Sequence, residues 1–147
     1  MKKASVLCIL MLVLSCYFAE GQQRHPSTIN PQDPAFREKF SQLSFDKNFS
    51  ILAVRDQYNN YYMADFTQFQ ERFEKVWFIS LLSSSTKIAS IDDDLSQPRP
   101  WFMAENKYTD KEIATEFNDL KEKTLNASSS MTAEEKKSWL LKNDKLK

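Results

Sequence analysis

Glycine occurs once in the 147-residue chain, at Gly21, and cysteine twice, at Cys8 and Cys16. Histidine occurs once, at His25. Each shortage removes a class of function. Gly-rich phosphate cradles and strained nucleophile elbows need backbone that takes positive φ or closely approaches a ligand. With no glycine beyond residue 21, dinucleotide folds, P-loop enzymes and α/β-hydrolases are excluded. Turns must be made by Asn, Asp, Ser and Pro. One histidine in a polar leader and no cysteine past residue 16 leave nothing to hold zinc or to act as an imidazole base. No metal site, catalytic constellation or cofactor is expected.

Charge of one sign is lacking too. The chain has 20 basic and 20 acidic residues. Without residues 1–21 the balance is 18 to 19, and the signs alternate along the chain. Such a surface is solvated on all sides and has no bulk attraction for nucleic acid or an anionic membrane.

What is present begins with an export signal. Lys2 and Lys3 precede an uncharged apolar run from Ala4 to Ala19. At 16 residues the run falls short of the roughly 20 that span a bilayer as a helix. Ala19-Glu20-Gly21 offers small residues at the two positions a signal peptidase reads, which predicts a signal peptide over 1–21 and a released, soluble chain. A competing site exists. Val13-Leu14-Ser15-Cys16 resembles a bacterial lipobox, with Leu14 where a small residue is usual. Cutting there would leave Cys16 acylated and the protein tethered as a lipoprotein. Export to the periplasm or medium is expected in either case. A domain lacking cysteine fits a bacterial envelope better than a eukaryotic secretory route.

Residues 22–32 read as a flexible leader and 33–147 as one domain. Asp33-Pro34 has the form of an N-cap followed by proline at the first helical position, and Phe36, Phe40 and Leu43 then fall on one stripe. Residues 48–56 read as a strand, "QYNN" as a turn and 61–65 as the returning strand. Residues 66–82 admit two readings. Phe66, Phe69, Phe73 and Trp77 keep helical spacing, yet "VWFISLL" shows no polar face. The reading adopted is a helical turn over 66–73 and a buried strand over 74–82, with a continuous helix as its rival. "SSST" turns the chain and "KIASID" gives the fourth strand. Pro98 to Phe102 reads as a loop. Thr109-x-x-Glu112 and Thr132-x-x-Glu135 are capping boxes that open two C-terminal helices, the first striped by Ile113, Phe117, Leu120 and Thr124.

The expected fold is therefore α+β: a small antiparallel sheet of about four strands in two hairpins, with an N-terminal helix and two C-terminal helices. Ser84-x-x-Lys87 matches the S-x-x-K pattern of serine acyltransferases, but their Lys-Thr-Gly strand is missing and a serine-rich turn explains the match. Asp92-Asp93-Asp94 lacks the alternate ligand spacing of a calcium loop and reads as a solvated strand end. The binding candidates are Arg99, Trp101 and Phe102, because two prolines stiffen the stretch and Trp and Arg dominate binding hot spots. The function expected is a non-catalytic binding or interaction module whose partner is a protein or an envelope component. The alternative is a small secreted or periplasmic hydrolase whose site assembles only in the fold.

Overall fold

The computed structural model describes residues 49–92, 94–96 and 98–145, together with 30, 33–35, 38 and 45. The expected signal segment, Cys16, most of the leader and most of the expected first helix lie outside the described residues. Of that helix, Pro34, Ala35 and Glu38 carry helical backbone. Asp33 Oδ1 accepts from the Ala35 N–H at 2.9 Å.

Strands β1, Ser50–Arg55, and β2, Asn59–Ala64, form the first hairpin. Its turn is tighter than the sequence suggests. Asn59 and Asn60 already belong to β2, and Asp56 builds the turn. Asp56 Oδ1 accepts from the N–H groups of Tyr58 and Asn59 at 2.8 and 2.6 Å. The side chain thus mimics a backbone turn, and no residue among those described takes positive φ.

A 3-10 turn, Phe66–Gln68, follows, with Asp65 Oδ1 accepting from the Thr67 N–H at 3.2 Å. Then comes helix α1, Arg72–Ser83. This corrects the strand expected over 74–82. The carboxylate of Glu74 reaches back to the N–H groups of Gln70 and Glu71, at 2.7 and 3.2 Å, and starts the helix. The missing polar face has a simple cause. Phe73, Val76, Phe78, Ile79 and Leu82 are all buried, and Trp77 and Leu81 are half-buried. A helix enclosed by neighbours on most sides needs no polar stripe.

The second hairpin joins β3, Ile88–Ile91, to β4, Trp101–Glu105. Residues 101–105 are therefore strand, where the sequence reading placed the end of a loop. Pro98 and Pro100 lie just before it and contribute only acceptors. Their carbonyls take the N–H groups of Phe66 (3.0 Å) and Ala64 (3.2 Å). The sheet order is β1-β2-β4-β3, antiparallel throughout. A register shift in β1 between Leu52 and Val54 leaves Ala53 unpaired, and one in β3 between Ile88 and Ser90 does the same to Ala89.

Helices α2, Asp110–Ser130, and α3, Ala133–Asn143, complete the chain, each opened by its expected capping box at Thr109 or Thr132. The described residues thus form a small α+β domain: a four-stranded antiparallel sheet of two hairpins, and three helices. Helices α1 and α2 pack on the sheet face that carries Leu52, Tyr62, Ala64, Phe102 and Ala104. Phe78 is the centre of that core. Its ring lies 5.2–5.9 Å from those of Phe49, Phe66, Phe69 and Phe117, two of them edge-on. Full burial of one such ring contributes roughly 1.5–3 kcal/mol. Among the described residues no helix is long and apolar enough to cross a membrane.

Candidate binding surface

The three residues singled out by composition part company in the fold. Phe102 is fully buried, with its ring 5.1 Å from Phe117 in the core. Trp101 points to the opposite sheet face, half-buried, with its ring 6.3 Å from Tyr61. Its indole N–H is buried without a protein acceptor. Arg99 is half-buried, and its guanidinium lies 5.0 Å over the ring of Phe45. Adjacent residues of a strand face opposite sides, so Trp101 and Phe102 cannot share one contact surface.

The polar groups that do meet serve as braces. The Tyr62 hydroxyl donates to Asp110 Oδ1 at 2.8 Å, and Arg55 Nη2 donates to Asp110 Oδ2 at 2.6 Å. Asn60 Nδ2 donates to the Tyr62 oxygen at 3.4 Å. Burial, reinforced by the hydrogen bond to Asp110, pushes the Tyr62 phenol up to about 12. It is a neutral donor, held far from the pKa that proton abstraction at neutral pH would need. On the other side of α2, Glu116 accepts from Lys87 Nζ at 3.0 Å and from Ser85 Oγ at 2.8 Å. Burial pushes Glu116 up, but the Lys87 and Ser85 hydrogen bonds outweigh it and hold the carboxyl below its ordinary range. Lys87 is thus committed to Glu116, and Ser84 Oγ donates to the Ser80 carbonyl at 3.3 Å. The S-x-x-K pair makes no nucleophile here.

Asp92 and Asp94 spend carboxylate oxygens on local turns. Asp92 Oδ1 accepts from the Asp94 N–H at 3.2 Å, and Asp94 Oδ1 from Ser96 N–H and Oγ at 3.0 and 2.6 Å. Among the described residues no three carboxylate, imidazole or thiol groups converge as metal ligands would.

A different cluster forms where α3 meets the start of α1. Trp139 packs its ring 4.7 Å from Trp77 and 5.5 Å from Phe73. Lys136 Nζ donates to the Glu71 carboxylate at 2.9 Å and to Ser128 Oγ at 2.9 Å, and lies 5.6 Å over the Phe73 ring. Arg72 grips Asp144 through two hydrogen bonds of 2.6 and 3.0 Å, the fork geometry that suits a guanidinium. No residue of α3 is fully buried, and Leu141 is 80% exposed.

Comparison with family models, with curated proteins and with solved structures finds no match to the chain.

The chemistry of this corner must therefore be read from its own residues. Beside the aromatic trio lies an open cavity of about 330 Å³. Phe73 and Leu140 line it with apolar surface, and its charged lining is the Lys136–Glu71 pair, Lys137, and Arg72, whose guanidinium is paired with Asp144. Ala133, Lys136, Lys137 and Leu140 recur at i, i+3, i+4 and i+7, so one face of α3 presents them together. In the sequence, Trp139, Leu140 and Leu141 follow the second capping box, and Phe73 and Trp77 fall on the stripe of residues 66–77. Nothing local joins the two sets. Their meeting depends on the turn between α2 and α3, which folds α3 back onto α1.

Proposed function

We propose that the protein is an exported, non-catalytic binding module that docks a partner protein at the α1–α3 corner. The occupant is a segment that sets an aliphatic or aromatic side chain beside a carboxylate. One observation carries this reading: an apolar cavity floor of Phe73 and Leu140 with Lys137 at its rim, beside the ion pairs Lys136–Glu71 and Arg72–Asp144. The apolar floor and the Lys137 ammonium together favour a hydrophobically anchored chain that carries a carboxylate. Two tryptophans beside it add the residue type that dominates contact energies. The exposed side chain of Leu141 continues the apolar strip past the cavity. Export is supported by the charged start, the apolar run and the Ala19-Glu20-Gly21 cleavage pattern.

The test uses a photo-crosslinking residue at position 141 in the native host, with position 119 on exposed α2 surface as control. A discrete adduct is expected from 141 and not from 119, and the charge reversal Lys137→Glu should reduce its yield severalfold. Equal labelling from both positions, or an adduct indifferent to Lys137→Glu, would overturn the reading. So would hydrolytic turnover of an ester, amide or glycoside by the purified protein.

A further inference from the structure

Met131 and Thr132 alone separate α2 from α3, and both have extended backbone, with φ −96° and ψ 141° at the first and φ −69° and ψ 162° at the second. Nothing in the local sequence demands a break there. A helix commonly stops at glycine or shortly before proline. From Trp101 to Lys147 the chain contains neither. The apolar stripe of α2 also runs on through the break. Its buried positions are Ile113, Phe117, Leu120, Thr124 and Ser128, and the same spacing next reaches Met131, Glu135 and Trp139. Helical dihedrals at the two junction residues would join α2 and α3 into one helix from Asp110 to Asn143, about 50 Å long.

The bend is held from outside the junction. Trp139 packs on Trp77 and Phe73, Lys136 pairs with Glu71 and donates to Ser128, and Asp144 pairs with Arg72. The capping box of Thr132 and Glu135 adds the local preference. The side-chain contacts join α3 to the start of α1 and the end of α2. An α3 supplied by a second copy of the chain would make the same ones.

We propose that α3 is exchanged between two copies of this chain: the junction straightens, and each α3 seats on the α1 of the other molecule. A short hinge with its contacts re-formed across the pair is a low-cost route to a dimer. Straightening gains the backbone hydrogen bonds of the junction and gives up the capping box and the independence of the two molecules. The exchange does not depend on what the α1–α3 corner binds. It builds each cavity from two chains, with Phe73 from one and Lys137 and Leu140 from the other.

Isotope mixing tests it on the unaltered protein. Equal amounts of unlabelled and isotope-labelled protein are held overnight at about 10 µM or about 1 mM and then treated with a carbodiimide. The reagent condenses the Lys136 amine with the Glu71 carboxyl, 2.9 Å away, and the Lys87 amine with that of Glu116, 3.0 Å away. Crosslinks between Glu71 and Lys136 that pair a labelled with an unlabelled peptide should be roughly tenfold or more enriched at the higher concentration. Those between Glu116 and Lys87 should stay unmixed, because that pair lies on one side of the hinge. Unmixed Glu71–Lys136 crosslinks at both concentrations would overturn the proposal, and so would equal mixing of both pairs. A variant gives a second measurement. Thr132→Ala with Glu135→Ala removes the capping box and leaves good helix formers at the bend. Light scattering should find roughly tenfold or more dimer than in the unaltered protein at equal concentration. An unchanged or lower dimer fraction would also overturn it.

Discussion

The Tyr62 hydroxyl donates to Asp110 across 48 positions of sequence, tying the interior of β2 to the first residue of α2 at 2.8 Å. Tyr62→Phe should cost roughly 1–2 kcal/mol near neutral pH, because it removes one charge-assisted hydrogen bond and leaves Asp110 able to reach water. Burial of the same hydroxyl, reinforced by this bond, predicts a pH dependence. The phenol is raised to about 12, chiefly by burial. Its contribution is complete below about pH 10, the unfolded value, and is lost as pH rises through about 12. Two pKa units correspond to at most about 3 kcal/mol. Urea midpoints of the two proteins should therefore converge between about pH 8 and pH 11.5. A constant difference would mean that the phenol is not raised in the folded protein.

Glu116 behaves in the opposite direction. Its carboxyl is pushed up by burial but held low overall by Lys87 and Ser85. Its stabilisation is present above the unfolded carboxylate pKa and fades as pH falls through the lowered folded value. Glu116→Gln should destabilise the protein at neutral pH and lose less on acidification. Thermal midpoints of both proteins from pH 7 down to pH 3 would show the curves approaching one another. Parallel curves would assign acid sensitivity elsewhere.

Trp139 holds a helix that has no buried residue of its own. Trp139→Ala removes the contacts with Trp77 and Phe73, and α3 should open without the sheet. Hydrogen exchange by mass spectrometry is expected to quicken in 133–143 and to stay unchanged in β2 and β4. Uniform loss of protection would mean that α3 is integral to the cooperative unit.

The two capping boxes offer a matched pair. Thr109 and Thr132 each accept from the N–H three residues on, at 3.3 Å. Thr109→Ala should lower global stability by about 1 kcal/mol, because α2 buries Ile113, Phe117 and Leu120. Thr132→Ala should leave the global midpoint unchanged and raise exchange only within α3. Equal global losses would contradict the looser attachment of α3.

Much of this fold is legible in local sequence. Thr109 and Glu112, three apart before an apolar stripe, announce α2 without help from tertiary structure. Residues 48–65 announce a hairpin because β-branched and aromatic residues flank a polar turn. Legibility fails where burial is decided by neighbours. "VWFISLL" lost its polar face because α1 is enclosed on most sides, and that enclosure is invisible in its own residues. Trp101 and Phe102 read as a loop because two prolines precede them. In the fold those prolines need no N–H, since each accepts from the exit of β2. The candidate surface was legible only in its parts. Trp139 and Trp77 are 62 residues apart, and no spacing rule relates them.

The unpaired alanines of β1 and β3 have a consequence for assembly. Among the described residues these two strands are the margins of the sheet, where a chain risks zipping onto its own copies. In both, the ladder breaks part-way, between Leu52 and Val54 and between Ile88 and Ser90. A foreign strand laid along either margin would fall out of step within a few residues. Growth by strand addition is disfavoured at both margins of the sheet.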